Sequence, residues 1–385
     1  MMIYSIWVLL FFPNWISGQK NEKDPIPIFK LLECSNKREL KLSDLVSNTR
    51  LVKLETKDSS LIASTSRYLV GSKYIICINQ STVLQFDSNG KFIRVIAKQG
   101  RGPEEFTNIS GFDMDREEKN LFFTSGSSKM IKVVDLITGK FSSPIPISNE
   151  ESAPKIVIKG DKITILPTIT GNEKYFLYYQ DFSGKLIEGI PVTYKQIPQM
   201  NMSTSSYPVS HGDFIYYYEP KVCGDTIFKI TGVNKTPMAI VQGGEKFGLS
   251  KANPTGYSTT LLSKIADSWV FSNLFIEMNN NTLNIRDIHY YILEDKNSRL
   301  SEISEFTLDN LGKTYSYEEI KKGLLNYSFD LSREQFVFKI ESIDFKIIVA
   351  ANKFNVPENE IKQIKKLDQE VTIYDNPILL IGKLK

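Results

Sequence analysis

The feature that most constrains this chain is a duplication. In "KYIICINQSTVLQFDSNGKFIRVIAKQGRGPEEFTNISGFDMDREEKNLFFTSGSSKMIKVVDLITGKFSSPIPI", the run "YIICIN" aligns with "LFFTS" and "TVLQFDSNGKFIRVI" with "MIKVVDLITGKFSSPI". The period lies in the forties, the spacing of a four-stranded propeller blade. Short apolar runs alternate with turn clusters, and the hairpin turns "SNGK" and "TGK" fall at matching places. A unit of this size cannot bury both faces of its own sheet, so it has to stack against copies of itself.

Fainter copies follow. "KITILPTITGNEKYFLYYQDFSGKLIEGIPV" and "DFIYYYEPKVCGDTIFKITGVNKTPMAIV" keep the order strand, turn, strand, and the spacing then widens toward the C-terminus. "WVFSNLFIEMNNNTLNIRDIHYYILEDKNSRLSEI" and "QFVFKIESIDFKIIVAANKF" read as further blades carrying insertions. The expectation is an all-β chain, one six-bladed β-propeller over residues 40–385 with small helical insertions in the C-terminal blades. "TYSYEEIKKGLLN" carries a capping box from Ser316 to Glu319, and "PENEIKQIKKLDQEV" places Ile361, Ile364, Leu367 and Val371 on one helical face. Strand-like runs at 49–55 and 377–385 are available to share the last blade and close the ring.

Residues 1–18 read as a signal peptide, because their apolar run is too short to span a bilayer and suits an h-region; residues 19–39 then read as a linker. This predicts an exported chain, periplasmic or associated with the cell surface, with no transmembrane span in its mature form. Three cysteines cannot form a complete disulfide framework. Cys34 follows Glu33 and a charged stretch, which argues against lipid attachment there.

With 47 basic against 44 acidic residues, the balance gives no footprint for nucleic acid. Two histidines leave little material for a metal site or a Ser-His-Asp triad, and no phosphate-binding loop, dinucleotide fingerprint or paired-cysteine motif occurs. No metal and no cofactor is predicted. The expected activity is non-enzymatic binding of a glycan, peptide or protein partner. The alternative is a propeller hydrolase or lyase with carboxylates at the central channel.

The stretch "KQGRGPEEF" at 98–106 has to carry the chain from the outermost strand of one blade to the innermost strand of the next. Gly100 and Gly102 are expected to supply unusual backbone angles, Pro103 to stiffen the corner and Phe106 to anchor it between blades. Arg101, Glu104 and Glu105 are not needed for a corner. Crossings of this kind emerge on the same face as the loops joining second and third strands, so this face should gather Arg101, Glu104, Glu105, Lys129, Lys221, Asp225 and Lys246 around the channel mouth. Arg101 is the first candidate for contacting a carboxylate, through its planar fork.

The unit "VLQFDSNGKFIRVIAKQGRGPEEFTNISGFDMD" resembles an NHL-type propeller repeat. Together with "LKLSDLVSNTRLVKLET", "CGDTIFKI" and "DNPILLIGKLK", the motif "GRGPEEF" is similar to pieces of six-bladed β-propeller proteins found among exported proteins and lipoproteins of Bacteroidota-type bacteria. That resemblance implies fold and export. It carries no catalytic residue with it.

Overall fold

The computed structural model describes residues 26–385 apart from 64–65, 127, 150–153, 168–172, 193–208, 212–213, 220–224, 243–254, 266–267, 280–281, 295–298, 322–326 and 331–334. Six small sheets form the six blades. The described residues begin at the rim, with β1 (Ile28–Lys30), β2 (Lys37–Lys41), the single turn α1 (Leu42–Leu45) and β3 (Val46–Lys53). Blade 1 follows as β4 (Arg67–Val70), β5 (Tyr74–Ile78), β6 (Thr82–Asp87) and β7 (Phe92–Lys98), and blade 2 as β8 (Ile109–Met114), β9 (Asn120–Ser125), β10 (Met130–Asp135) and β11 (Ile145–Pro146). Blade 3 comprises β12 (Lys155–Lys159), β13 (Lys162–Leu166), β14 (Tyr175–Gln180) and β15 (Leu186–Pro191). Blade 4 comprises β16 (Val209–His211), β17 (Phe214–Glu219), β18 (Asp225–Thr231) and β19 (Asn234–Gln242). Blade 5 uses longer strands, β20 (Thr255–Ile265), β21 (Ser268–Asn279), β22 (Thr282–Glu294) and β23 (Arg299–Leu308), with β24 (Lys313–Tyr315) paired to β23. After α2 (Tyr317–Lys321), blade 6 is built from β25 (Tyr327–Asp330), β26 (Gln335–Ile340), the helices α3 (Ser342–Ala351) and α4 (Glu358–Glu370), and β27 (Ile378–Leu384).

Blade 6 lacks a fourth strand of its own. β3 supplies it, pairing antiparallel with β27 from Ile378↔Lys53 to Leu384↔Val46. The two ends of the chain therefore meet in one sheet. Ahead of it, β1 lies parallel to β19 and β2 parallel to β23, adding a further strand to the outer edges of blades 4 and 5. Residues 28–30 and 37–39, read as linker in the sequence, belong to these sheets, and they cover two edges that would otherwise expose unpaired backbone groups.

The core is a series of layers between blades. Phe106, Ile109 and Phe123 pack with Ile76 and Val83 between blades 1 and 2, and Val52, Leu379 and Ile381 pack with Ile75, Leu84 and Phe86 between blades 6 and 1. One recurrent turn sets the spacing of the layers. In blades 1, 2 and 3 the turn between third and fourth strands opens with Asp87, Asp135 or Asp181, whose Oδ1 accepts backbone N–H groups of Asn89 and Lys91, Ile137 and Thr138, or Ser183 and Lys185. Each turn ends in a glycine of positive φ, Gly90 at 86°, Gly139 at 77° and Gly184 at 86°. A Cβ on any of the three would collide with the outer strand of the preceding blade, at Lys53, Arg94 or Pro146. The turn "D-x-x-(x)-G-K" is thus a spacer between blades.

One local reading changes. "SIDFKIIVAA", read as strand, is the helix α3, because Phe345, Ile348 and Val349 recur at helical spacing and are buried, while Ile343 and Ile347 are 51% and 62% exposed. In α4, Ile364 is buried, with Leu367 and, just past the helix, Val371 packed into the same cluster. The capping box at α2 is present: Glu319 Oε2 accepts the Ser316 N–H at 2.8 Å and its hydroxyl at 2.8 Å.

Candidate site at the channel mouth

Strand alternation puts the crossings from one blade to the next, and the loops between second and third strands, on one face. The crossing at 99–108 is pinned there by hydrogen bonds from Gln99 N–H to Ser81 O (2.8 Å), Gly100 N–H to Phe106 O (2.8 Å) and Phe106 N–H to Lys98 O (3.1 Å). Phe106 is 2% exposed, in the layer between blades 1 and 2. The 126–129 loop abuts this crossing, since Gly126 N–H donates to Asn108 O at 2.7 Å and Thr107 N–H to Ser125 Oγ at 3.1 Å.

The two glycines of the corner work differently from the expectation. Neither Gly100 nor Gly102 has positive φ. Their role is room: Glu105 folds back so that its Oε2 accepts the Gly102 N–H at 2.7 Å, and a Cβ on Gly100 would collide with that carboxylate. Lys132 on β10, which sequence reasoning missed, donates its ammonium to the carbonyls of Pro103 (2.6 Å) and Glu105. Partial burial lowers its pKa, while Glu105 and Glu104 act in the opposite sense. Glu105 and Lys132 therefore brace the corner. Arg101 and Glu104 remain exposed, and among the described residues Arg101 has no hydrogen-bond or ion-pair partner.

The mouth also receives two cations that no motif signalled. Arg67 and Lys155 are the first residues of the innermost strands of blades 1 and 3, at the ends of their incoming crossings. Arg67 donates to Ile109 O at 2.5 Å and lies 4.6 Å over the Phe112 ring. Burial pushes the Lys155 ammonium down to about 7, and the positive charge of Arg67 adds to the shift. The start of β12 is held against β8 by contact of Gly111 with Pro154 and Lys155, and by the Thr124 hydroxyl donating to Pro154 O at 2.8 Å. The only sequence signal was position, a cation at the entry of an inner strand.

Of the other predicted residues, Lys129 is exposed at the end of the 126–129 loop, and its carbonyl accepts the Ile147 N–H at 2.9 Å. Asp225 opens β18 opposite Val241, with its side chain outside the description, and Lys221 and Lys246 lie outside the described residues. Arg101, Glu104 and Glu105 share the corner that Lys132 braces, Lys129 lies on the loop that abuts it, and Lys155 lies within electrostatic reach of Arg67 at the entries of two inner strands. Among the described residues no three His, Cys, Asp or Glu side chains cluster as metal ligands would.

No curated protein matches the sequence. A solved structure of a Bacteroides fragilis protein designated as exported superposes with a TM-score of 0.59 at 14% identity, covering 94% of this chain and 100% of that one. A member of the DUF4221 family from Bacteroides vulgatus gives a TM-score of 0.46 at 11% identity, over 89% of this chain and 97% of its own. At such identity the first likeness speaks for the fold alone. Residues 26–383, which take in every blade and the rim strands, match a single family model, and the chain belongs to that family, the domain of unknown function DUF4934.

Proposed function

We propose that this chain is an exported, non-catalytic β-propeller that binds a glycan, peptide or protein partner through carboxylate groups on the channel-mouth face. The observation that carries the reading is the placement of Arg101, exposed on a braced corner with no internal partner among the described residues. Glu105 and Lys132 hold that corner rigid, so the guanidinium fork is presented with little loss of backbone freedom on binding. Arg67 adds positive charge on the same face, which favours an anionic partner. Export rests on the N-terminal apolar run and accords with the designation of the Bacteroides fragilis relative. Among the described residues no helix is long and apolar enough to cross a membrane.

The test is a comparison of acidic and neutral glycan and peptide arrays, using the wild-type chain and Arg101→Ala. Selective capture of acidic probes, lost in Arg101→Ala at an unchanged melting temperature, supports the proposal. Capture that ignores probe charge, or survives the substitution, refutes it. A fall in melting temperature with capture intact would make the stretch a structural corner only.

A further inference from the structure

The helix α3 is apolar on both sides. Its inner side places Phe345, Ile348 and Val349 in the core, while its outer side carries Ile343, Ile347, Ala350 and Ala351 in solvent. Ile343, Ile347 and Ala350 stand at positions i, i+4 and i+7, the spacing of a seam between two packed helices. A surface helix ordinarily turns a polar face outward, and one that is apolar all round is ordinarily covered. The apolar surface continues past the start of the helix. The Ser342 hydroxyl donates to Asn376 O at 2.7 Å, and the Asn376 side chain bonds the backbone of Ser60 and Ile62, so Leu61, Ile343, Ile373 and Tyr374 all lie within three residues of one of these bonds. Leu61 is 59%, Ile373 48% and Tyr374 85% exposed. With Ile343 and Ile347 they present several hundred Å² of apolar surface, on the scale of the core of a standard interface, which buries about 800 Å² per partner.

The charges beside this seam stand in opposition. Asp344 lies on the flank of α3 that faces the β23–β24 hairpin, within electrostatic reach of Lys313 and Tyr315, and Lys353, just past the helix, lies against Gly312 of the same hairpin. Both are exposed, and neither forms an ion pair among the described residues. Lys313 is itself engaged by Glu319 at 3.5 Å. Partial burial and the neighbouring Glu341 raise the Asp344 pKa against the weaker pull of Lys313, as for a carboxylate short of cations. That flank is therefore acidic at the start of the helix and basic at its end. On the other flank Lys346 is neutralised by Asp368 at 3.0 Å.

We infer that the outer face of α3 is a self-association surface, which pairs with a second copy of this chain about a two-fold axis close to Ile347. The two helices then run antiparallel, so equivalent flanks face each other with their order reversed. Ile347 meets its own copy, Ile343 packs on the small side chains of Ala350 and Ala351, and Lys353 of each copy approaches Asp344 of the other. Large side chains meet small ones and each uncommitted charge meets its opposite, which makes the surface complementary to itself.

The experiment is sedimentation velocity of the full chain from low to high micromolar concentration, with circular dichroism of each variant to check its fold. A reversible monomer–dimer equilibrium is expected. Ile347→Lys sets two ammonium groups against each other at the axis and should weaken the dimer about a hundredfold or more. Asp344→Lys and Lys353→Asp should each weaken it by about fivefold, and the double exchange should return it to within about twofold of the wild type. Arg101→Ala should leave self-association unchanged, which separates this surface from the channel-mouth corner. A chain that sediments as a monomer throughout, including one that binds a different protein or lipid through α3, overturns the assignment. So does a dimer that survives in a folded Ile347→Lys chain, or a double exchange as weak as the two single changes combined.

Discussion

Blade 1 takes all four strands from one unbroken run, Arg67 to Lys98, and its spacer turn is organised by a single aspartate acting over four residues. Blade 6 takes three strands from the end of the chain and its outermost from Val46–Lys53, and it carries two helices between its second and third strands. In the first case geometry is set by neighbours in sequence. In the second it is set by groups more than 300 residues apart. The side chain of Asn376 makes this concrete. Its Oδ1 accepts the Ile62 N–H at 3.0 Å, and its Nδ2 donates to Glu55 O at 2.9 Å and Ser60 O at 2.8 Å. One buried amide thus ties the end of the helical insertion to the crossing from blade 6 into blade 1. A regular blade can rely on local turns because its strands are already tethered, whereas the closing blade must also overcome the entropy of bringing the chain ends together.

Removing the closing strand breaks the comparison most severely. A chain ending before Ile378 loses β27, which pairs with both β26 and β3, and should lose cooperative melting and β-type circular dichroism together. A truncated chain that melts like the full one would show that the other blades hold the ring without closure. Asn376→Ala comes next. It leaves three backbone groups without their partner and should destabilise the chain by about 3 kcal/mol in urea unfolding. A loss below about 1 kcal/mol would mean that the crossing re-forms around water. The smallest effect sharpens the distinction between two kinds of glycine. Gly90→Ala forces a side chain into positive φ against the backbone of Lys53, and should cost about 1–2 kcal/mol. Gly100→Ala meets only the end of a flexible glutamate, and should cost less than about 1 kcal/mol. Equal losses in the two variants would put "GRGPEEF" on the same footing as the spacer turns.

Much of this architecture was legible in the sequence because its causes are local. "SNGK", "TGK" and "SGK" mark the spacer turns through an aspartate and a glycine a few residues apart, and alternating apolar residues mark the strands between them. The capping box at Ser316 and Glu319 acts within one helical turn. Where competing local signals balanced, the reading slipped: "SIDFKIIVAA" has the β-branched residues of a strand, and only burial of Phe345, Ile348 and Val349 on one side selects the helix. Contacts that join distant segments left no such trace. Nothing in "PIPIFK" announces that Ile28–Lys30 will lie beside Ile240–Gln242, because backbone pairing is indifferent to side-chain identity. The same holds for the candidate sites. Arg101 could be picked out beside its glycines and proline, but the approach of Arg67 to Lys155, and the gathering of Leu61, Ile343 and Tyr374 around Asn376, depend on which strands become neighbours when the ring closes. The sequence by itself determined the blades, through turn chemistry and alternation acting over a few residues; the tertiary structure alone decided which charges meet, because electrostatic proximity follows distance in space and not separation along the chain.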